Sequence, residues 1–285
     1  MTTPLTEALE LRSTGTDAFT GRVPPTELRQ VYGGHLVGQA ALAARTTVSP
    51  GRRLHSLQTY FLRPGRNDAE LEYRIRRIRD GASSCTRLVK IRQGGVQIAQ
   101  VSASFTSFEA LELSYQVPMP TAPPPEALPT LHQRVTDHPD DWPLLYRTWR
   151  HFDVRYVEAP RDRLSGSTNG PRTSAQVWLR ADEPQPDDPG WHECALAYVS
   201  DLTLLSVVLP AMSLRPALPG LRMASLDHML WFHQPCRVDG WILYDQSTHA
   251  VGGGLGLASG HLFQQDGTLL ATVMQQGVIR RPDGC

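Results

Sequence analysis

Asp201, Ser225 and Gln275 are the side chains whose types and places suggest chemistry. Asp201 sits in WHECALAYVSDLTLLSVVLP, Trp191 to Pro210, which is apolar on nearly every side from Ala195 onward. A helix of that kind is buried. A buried carboxylate is costly unless it is paired or put to use. Two readings stay open on pattern alone. Ser200 and Asp201 can cap a helix that starts at Leu202, or Asp201 can be a working acid inside a helix that Pro210 ends.

Partners for that acid are expected from the strands that follow. In Met223–Phe232, alternation puts Met223, Ser225, Asp227, Met229 and Trp231 on one face, so Asp227 competes with Ser225. Gln275 shares a face with Ala271 and Val273. A strand serine or glutamine can equally face solvent. His55, His228 and His233 are possible bases, though a lone strand histidine is commonly just packed or exposed.

Several signatures are missing. The chain has no G-x-S-x-G elbow, Walker loop or H-E-x-x-H pair. Gly252–Gly256 is glycine-rich but lies between two strand candidates, as a hairpin turn does. Cys85, Cys194, Cys236 and Cys285 lack metal-ligand spacing and read as reduced thiols. No metal and no cofactor are expected. Basic and acidic residues balance at 28 each, which favours neither nucleic acid nor an anionic membrane as partner. No run approaches membrane-spanning length, and no basic, apolar leader opens the chain, so a cytoplasmic protein is expected.

The elements that must position these residues follow from periodicity. Residues 1–20 are polar and expected to be frayed at the start. A helix over Gly34–Thr47 carries a broad apolar stripe and no acid. Strands are predicted at Leu54–Leu62, Glu70–Arg79, Ser83–Arg92 and Val96–Phe105, with a bulge where the phase slips near Arg76–Arg77. Tyr115–Pro139 is proline-rich and reads as a linker crossing a surface. A short helix at Asp140–Arg150 follows. Strands at Phe152–Glu158 and Ala175–Arg180 flank a polar loop, Arg161–Thr173. After the apolar helix, strands recur at Met223–Phe232, Trp241–His249, Leu255–Gln264 and Leu269–Ile279. Pro64 and Pro235 lie 171 residues apart, Gly81 and Gly252 171, and Gly95 and Gly267 172. That near-constant offset argues for an internal duplication. Only the second of the two helices carries a carboxylate, which favours function for Asp201. Helix first, then an antiparallel meander, is an α+β pattern.

The chain resembles the acyl-CoA thioesterase II family. The resemblance is carried by VYGGHLVGQAAL (Val31–Leu42), LHSLQTYFLRPG (Leu54–Gly65), IRDGASSCTRLVKIRQGG (Ile78–Gly95) and ASF (Ala103–Phe105). In the second half it is carried by QVWLRA (Gln176–Ala181), LAYVSD (Leu196–Asp201), SLDHMLWFHQP (Ser225–Pro235) and QDGTLLATVMQQGVIR (Gln265–Arg280). It implies a tandem, or double, hotdog: each half is a long central helix wrapped by an antiparallel sheet. The halves are expected at 1–115 and 146–285, joined by a proline-rich linker at 116–145. It implies hydrolysis of acyl-CoA to free fatty acid and CoA by water activation, with no metal and no acyl-enzyme. Asp201, Ser225 and Gln275 fall on the family's catalytic positions. The first glycine phrase, often Gly-Gly-Gln, is here Gly33-Gly34-His35 and is expected to supply oxyanion donors. Arg63, Arg79, Arg87 and Arg280 are available for the CoA phosphates, and the buried helices for walls of an acyl tunnel. The expected partner is acyl-CoA, without nucleic acid or membrane insertion, in a homo-oligomer. The rival readings are a hotdog enoyl-CoA hydratase-like enzyme and a non-catalytic acyl-CoA-binding protein. The hydratase would need an Asp-x-x-x-x-His arrangement, and the first histidine after Asp201 is His228.

Overall fold

The computed structural model describes residues 4–107, 115–158 and 173–281. The Arg161–Thr173 loop, apart from Thr173, and Cys285 lie outside the described residues. The first half contains α1 (Leu5–Ala8), β1 (Leu11–Gly15), β2 (Ala18–Gly21), α2 (Gly33–Arg45), β3 (Arg53–Phe61), β4 (Leu71–Asp80), β5 (Ser84–Gln93) and β6 (Val96–Thr106). Next come α3 (Leu131–Asp137), α4 (Leu144–Thr148), β7 (Phe152–Tyr156), β8 (Ser174–Ala181) and α5 (Pro189–Ser200). The chain then runs through β9 (Arg222–Ser225), β10 (Asp227–Phe232), β11 (Ile242–Gly252), β12 (Leu255–Gln264) and β13 (Leu269–Arg280).

Among the described residues, all thirteen strands form one antiparallel sheet, in the order β1-β2-β4-β5-β6-β3-β10-β13-β12-β11-β8-β7, with β9 on β13. Read from opposite ends, β2-β4-β5-β6-β3 and β8-β11-β12-β13-β10 are the same path, each with one long helix inserted after its first strand. The halves join where β3 pairs with β10, Leu57 opposite Leu230, both fully buried. Alternation decides the inward face: along β6, Ala99, Val101, Ala103 and Phe105 are buried, while Gln100, Ser102 and Ser104 between them are partly exposed. The bulge in β4 occurs between Arg77 and Arg79, next to the predicted phase slip. Gly253 and Gly254 both have positive φ, 59° and 78°, between the paired Gly252 and Leu255. This is a two-residue hairpin turn, which glycine adopts without steric cost.

The helices α2 and α5 lie antiparallel against each other inside the sheet. At one end Arg45, finishing α2, pairs with Asp188, the N-cap of α5, at 2.7 Å. At the other end the start of α2 meets the end of α5. Close approach depends on small residues: a Cβ on Gly38 would stand 2.9 Å from the Tyr198 Cβ. Glu193 of α5, 1 % exposed, ties the helix to β3 by accepting from Arg53 Nε at 2.7 Å and Leu54 N at 3.1 Å.

Several expectations are corrected. Residues 4–20 are structured: Leu5, Ala8 and Leu9 are buried, and β1 and β2 form a hairpin that extends the sheet through β4. The proline-rich segment, expected as a linker crossing a surface, lies against the second half, with Trp178 Nε1 donating to Pro123 O at 2.9 Å and Trp241 Nε1 to Glu126 at 3.1 Å. It continues into α3, held by a Thr130–Gln133 capping box. The apolar helix begins earlier, at Pro189, and stops at Ser200; Leu204–Val208 is a separate 3-10 turn. Taken together, Pro189–Met212 spans 24 residues and is long and apolar enough to cross a membrane, contrary to the length expectation, but 89 % of its most apolar 18-residue stretch is buried within the protein. The strand predicted over Met223–Phe232 is broken at Leu226.

Candidate active site

Asp201 is neither inside a helix nor an N-cap. It is the C-cap of α5, and the first turn of α2 faces it. The helix end and the turn just after it are held by hydroxyls from three other places in the chain. Tyr32 donates to Tyr198 O at 2.7 Å, Tyr244 of β11 to Ser200 O at 2.9 Å, and Tyr146 of α4 to Leu202 O at 2.9 Å. Ser200 Oγ donates back to Ala197 O at 3.0 Å. Carbonyls left without partners at a buried helix end are thereby satisfied. Tyr244→Phe leaves the Ser200 carbonyl bare and is expected to cost about 1–2 kcal/mol, read as a lower urea midpoint with unchanged slope.

The break at Leu226 decides which side chain meets Asp201. Ser225 lies opposite Gly277, while Met229 lies opposite Met274. One extra residue therefore sits on the Ser225 side, a β-bulge. Strict alternation would have put Ser225 and Asp227 on one face. The bulge separates them: Ser225 turns inward, and the Asp227 carboxylate accepts from Gln276 N at 2.8 Å. Gln275, fully buried, projects from β13 on the inward face.

The three residues singled out in the sequence converge. Gln275 Nε2 donates to Asp201 Oδ1 and to Ser225 Oγ, the latter at 2.7 Å. Ser225 Oγ donates to Asp201 Oδ1 at 3.4 Å. The Gly34 N–H also donates to the carboxylate. The Asp201 side chain is 6 % exposed. Burial pushes its pKa up to about 6, against the opposing hydrogen bonds from Gln275, Gly34 and Ser225. A carboxylate ionised at neutral pH yet more basic than usual can take a proton from water.

Gly33 and Gly34 reach the site, but His35 does not. The His35 imidazole lies 3.0 Å from Arg22 O and faces a neighbouring cavity of about 300 Å³ with Trp149, His151 and Tyr198. Its backbone N–H donates to Tyr32 O. Among the histidines, His233 pairs with Thr272 Oγ1 and His55 with Ser104 Oγ. His228 is fully buried, with Nδ1 4.0 Å from Asp201 Oδ1. Nothing in its local spacing marks it out, because the bulge hides its position opposite Gln275.

Asp201 and Ser225 open on a cavity of about 640 Å³ shared with Gly33, Phe61, Arg29 and Arg63. Arg29 lies outside every predicted element, and no pattern in the sequence points to it. Arg87, one of the arginines expected to be available for phosphate, is 1 % exposed and bound to Thr47, Asp80 and the Arg79 carbonyl. It holds β5 against the end of α2.

Two family models match: "Acyl-CoA thioesterase" over residues 149–278 and "Acyl-CoA thioesterase N-terminal domain" over residues 21–106. The chain is 36 % identical to acyl-coenzyme A thioesterase 8 of Mus musculus, covering 97 % of this chain and 88 % of that protein. Among solved structures it is similar to acyl-CoA thioesterase II of Mycobacterium marinum, 38 % identical with a TM-score of 0.79, over 98 % and 99 % of the two chains. A hotdog-fold protein of Alicyclobacillus acidocaldarius superposes with a TM-score of 0.80 at 21 % identity, over 99 % and 100 %. The sheet and its enclosed helices are a hotdog fold.

Proposed function

The chain belongs to the acyl-CoA thioesterase II family, and from that premise we propose how its residues hydrolyse an acyl-CoA thioester to free fatty acid and coenzyme A. We read the chain as a tandem of two hotdog units. The matching strand paths, and a helix inserted at the same point in each, support that reading.

The observation that carries the mechanism is the convergence of Asp201, Ser225 and Gln275 on one buried carboxylate beside a cavity. A water held by these groups attacks the thioester carbonyl carbon. Asp201 accepts the proton the water gives up, while Ser225 and Gln275 hold the water and carboxylate in place. The thiolate leaves well, so a strong general acid is not needed. The Gly34 and His35 N–H groups are committed to Asp201 and Tyr32. Of the three residues expected to supply oxyanion donors, Gly33 is the one left to face the thioester oxygen, at the positive end of α2. Arg29 and Arg63 line the same cavity and are suited to the CoA phosphates.

Release of free thiol from acyl-CoA, followed with a chromogenic thiol reagent, tests the activity. Tight acyl-CoA binding without thiol release would favour a binding protein. Ser225→Ala is expected to lower kcat about 10- to 100-fold with little change in KM; a change confined to KM would remove Ser225 from the mechanism. The spatial pairing of Asp201 with His228 bears on the hydratase reading. A hydratase histidine must touch substrate, and His228 is fully buried beneath the acid. Hydration of an enoyl thioester by this protein would contradict the thioesterase mechanism.

A further inference from the structure

His228 of β10 is held from one side only. Its Nε2 lies 2.8 Å from Ser200 Oγ. That hydroxyl already donates its hydrogen to Ala197 O, so it can only accept from the imidazole. The ring proton therefore sits on Nε2, and Nδ1 carries a bare lone pair. Among the described residues Nδ1 makes no hydrogen bond, and it lies 4.0 Å from Asp201 Oδ1. Burial holds the ring neutral, with its pKa pushed down to about 3. Two neighbours across the strands, Thr59 on β3 and Gln275 on β13, also carry buried atoms without partners, Oγ1 and Oε1. Unsatisfied polar atoms cost stability, and here they gather on the strands beneath Asp201.

We propose that His228 is a positioning residue for Asp201, offering Nδ1 as the acceptor for the carboxyl once it is protonated. The inference rests on the reading of Asp201 as the base. In the step concerned, a water O–H bond breaks as the water oxygen bonds to the thioester carbon, and the proton goes to Asp201 Oδ1. The long Ser225 contact on Oδ1, 3.4 Å, gives way, and the carboxyl O–H closes the gap of about one ångström and donates to His228 Nδ1. When the C–S bond breaks, sulfur leaves with the electron pair and takes the proton from Asp201. The imidazole neither touches substrate nor changes protonation. Other titratable groups near the carboxyl are Tyr32, before α2, and Tyr244, on β11. Both are held neutral, their hydroxyls donating to backbone carbonyls. Gly34, Ser225 and Gln275 all donate to the carboxylate and favour the ionised form. His228 is the neighbour that favours the protonated one.

The test compares kcat–pH profiles for thiol release from acyl-CoA. His228→Gln keeps a donor for Ser200 but loses the acceptor at the Nδ1 position. It is expected to lower kcat about tenfold or more and move the acid limb down by roughly one pH unit. His228→Asn puts an amide oxygen near the Nδ1 position and is expected to recover most of the rate with the limb near its original place. Ser200→Ala releases Nε2, lets the proton move to Nδ1, and is expected to move the limb down as well. It also decides the matter if the His228 variants do not fold by circular dichroism. Equal losses in Gln and Asn with an unmoved limb, or an unmoved limb in Ser200→Ala, would overturn the proposal. Asp201→Asn run alongside separates the two levels: normal turnover there overturns the base itself, whereas a dead Asp201→Asn beside a normal His228→Gln overturns only the role of His228.

Discussion

Asp201→Asn is expected to lower kcat for acyl-CoA hydrolysis by about 10²- to 10⁴-fold, because the amide cannot take a proton from water. The fold should survive. Asparagine has the same shape, and its oxygen can still accept from Gln275 and Ser225. Stability at neutral pH should not fall either. The wild-type carboxyl titrates near pH 6 in the folded protein, against an ordinary 3.8. The native state therefore binds the proton more tightly than the unfolded chain does. Its contribution to stability is full below about pH 4, declines as pH rises through 6, and stays lost above that. The variant lacks this decline. Melting curves between pH 4 and 8 should show the two proteins converging at low pH, with the variant equal or higher at pH 8. In wild type, kcat should rise with pH through about 6 as the base ionises. Near-normal turnover by the folded variant would remove Asp201 from the mechanism.

Gly33→Ala is expected to lower kcat by about 100-fold, the scale associated with a misplacement of about 1 Å in a catalytic group. A Cβ at that position would stand 2.6 Å from Asp201 Oδ2 and 3.1 Å from the Phe61 ring. The carboxylate must move, and its bonds to Gln275 and Ser225 move with it. Gly34→Ala is a different test, because a Cβ there would fall on the Tyr198 carbonyl oxygen and the Tyr32 hydroxyl. That variant should lose stability as well as rate, by about 1–3 kcal/mol. A thiol-release assay beside urea melts separates the two: Gly33→Ala with wild-type kcat would show that the approach of α2 to Asp201 is not critical.

Much of the site is legible in the amino-acid sequence. Asp201 stands out because an acid in an apolar run is costly, and the missing acid in the first helix singles it out further. Ser225 and Gln275 are harder, since either residue type can face solvent from a strand. Strict alternation places Asp227 with Ser225, and the extra residue at Leu226 undoes that pairing. Arg87 has the pattern of any exposed strand arginine, yet Thr47 and Asp80 close around it. The start of the chain is polar enough to fray, but Leu5 and Leu9 have a core to enter.

What the chain determines by itself is what depends on near neighbours. The two helices, the hairpins at their glycine turns and most of the strands after the first helix follow from spacings of two, three and four residues. So does the presence of an acid in a stretch that must be buried. What only the tertiary structure decides depends on residues far apart in sequence meeting in one register. The helix ends at Ser200 because hydroxyls at positions 32 and 244 take up the Tyr198 and Ser200 carbonyls, and the one at position 146 takes up the Leu202 carbonyl just beyond. The acid rises to about 6 because the start of the other helix, a bulged strand and the closing strand shut it from water while still donating to it. His228 lies against it because the bulge turns that strand by one residue. A local pattern can state that a carboxylate will be buried; only long-range pairing determines which groups it is buried among, and so what it can do.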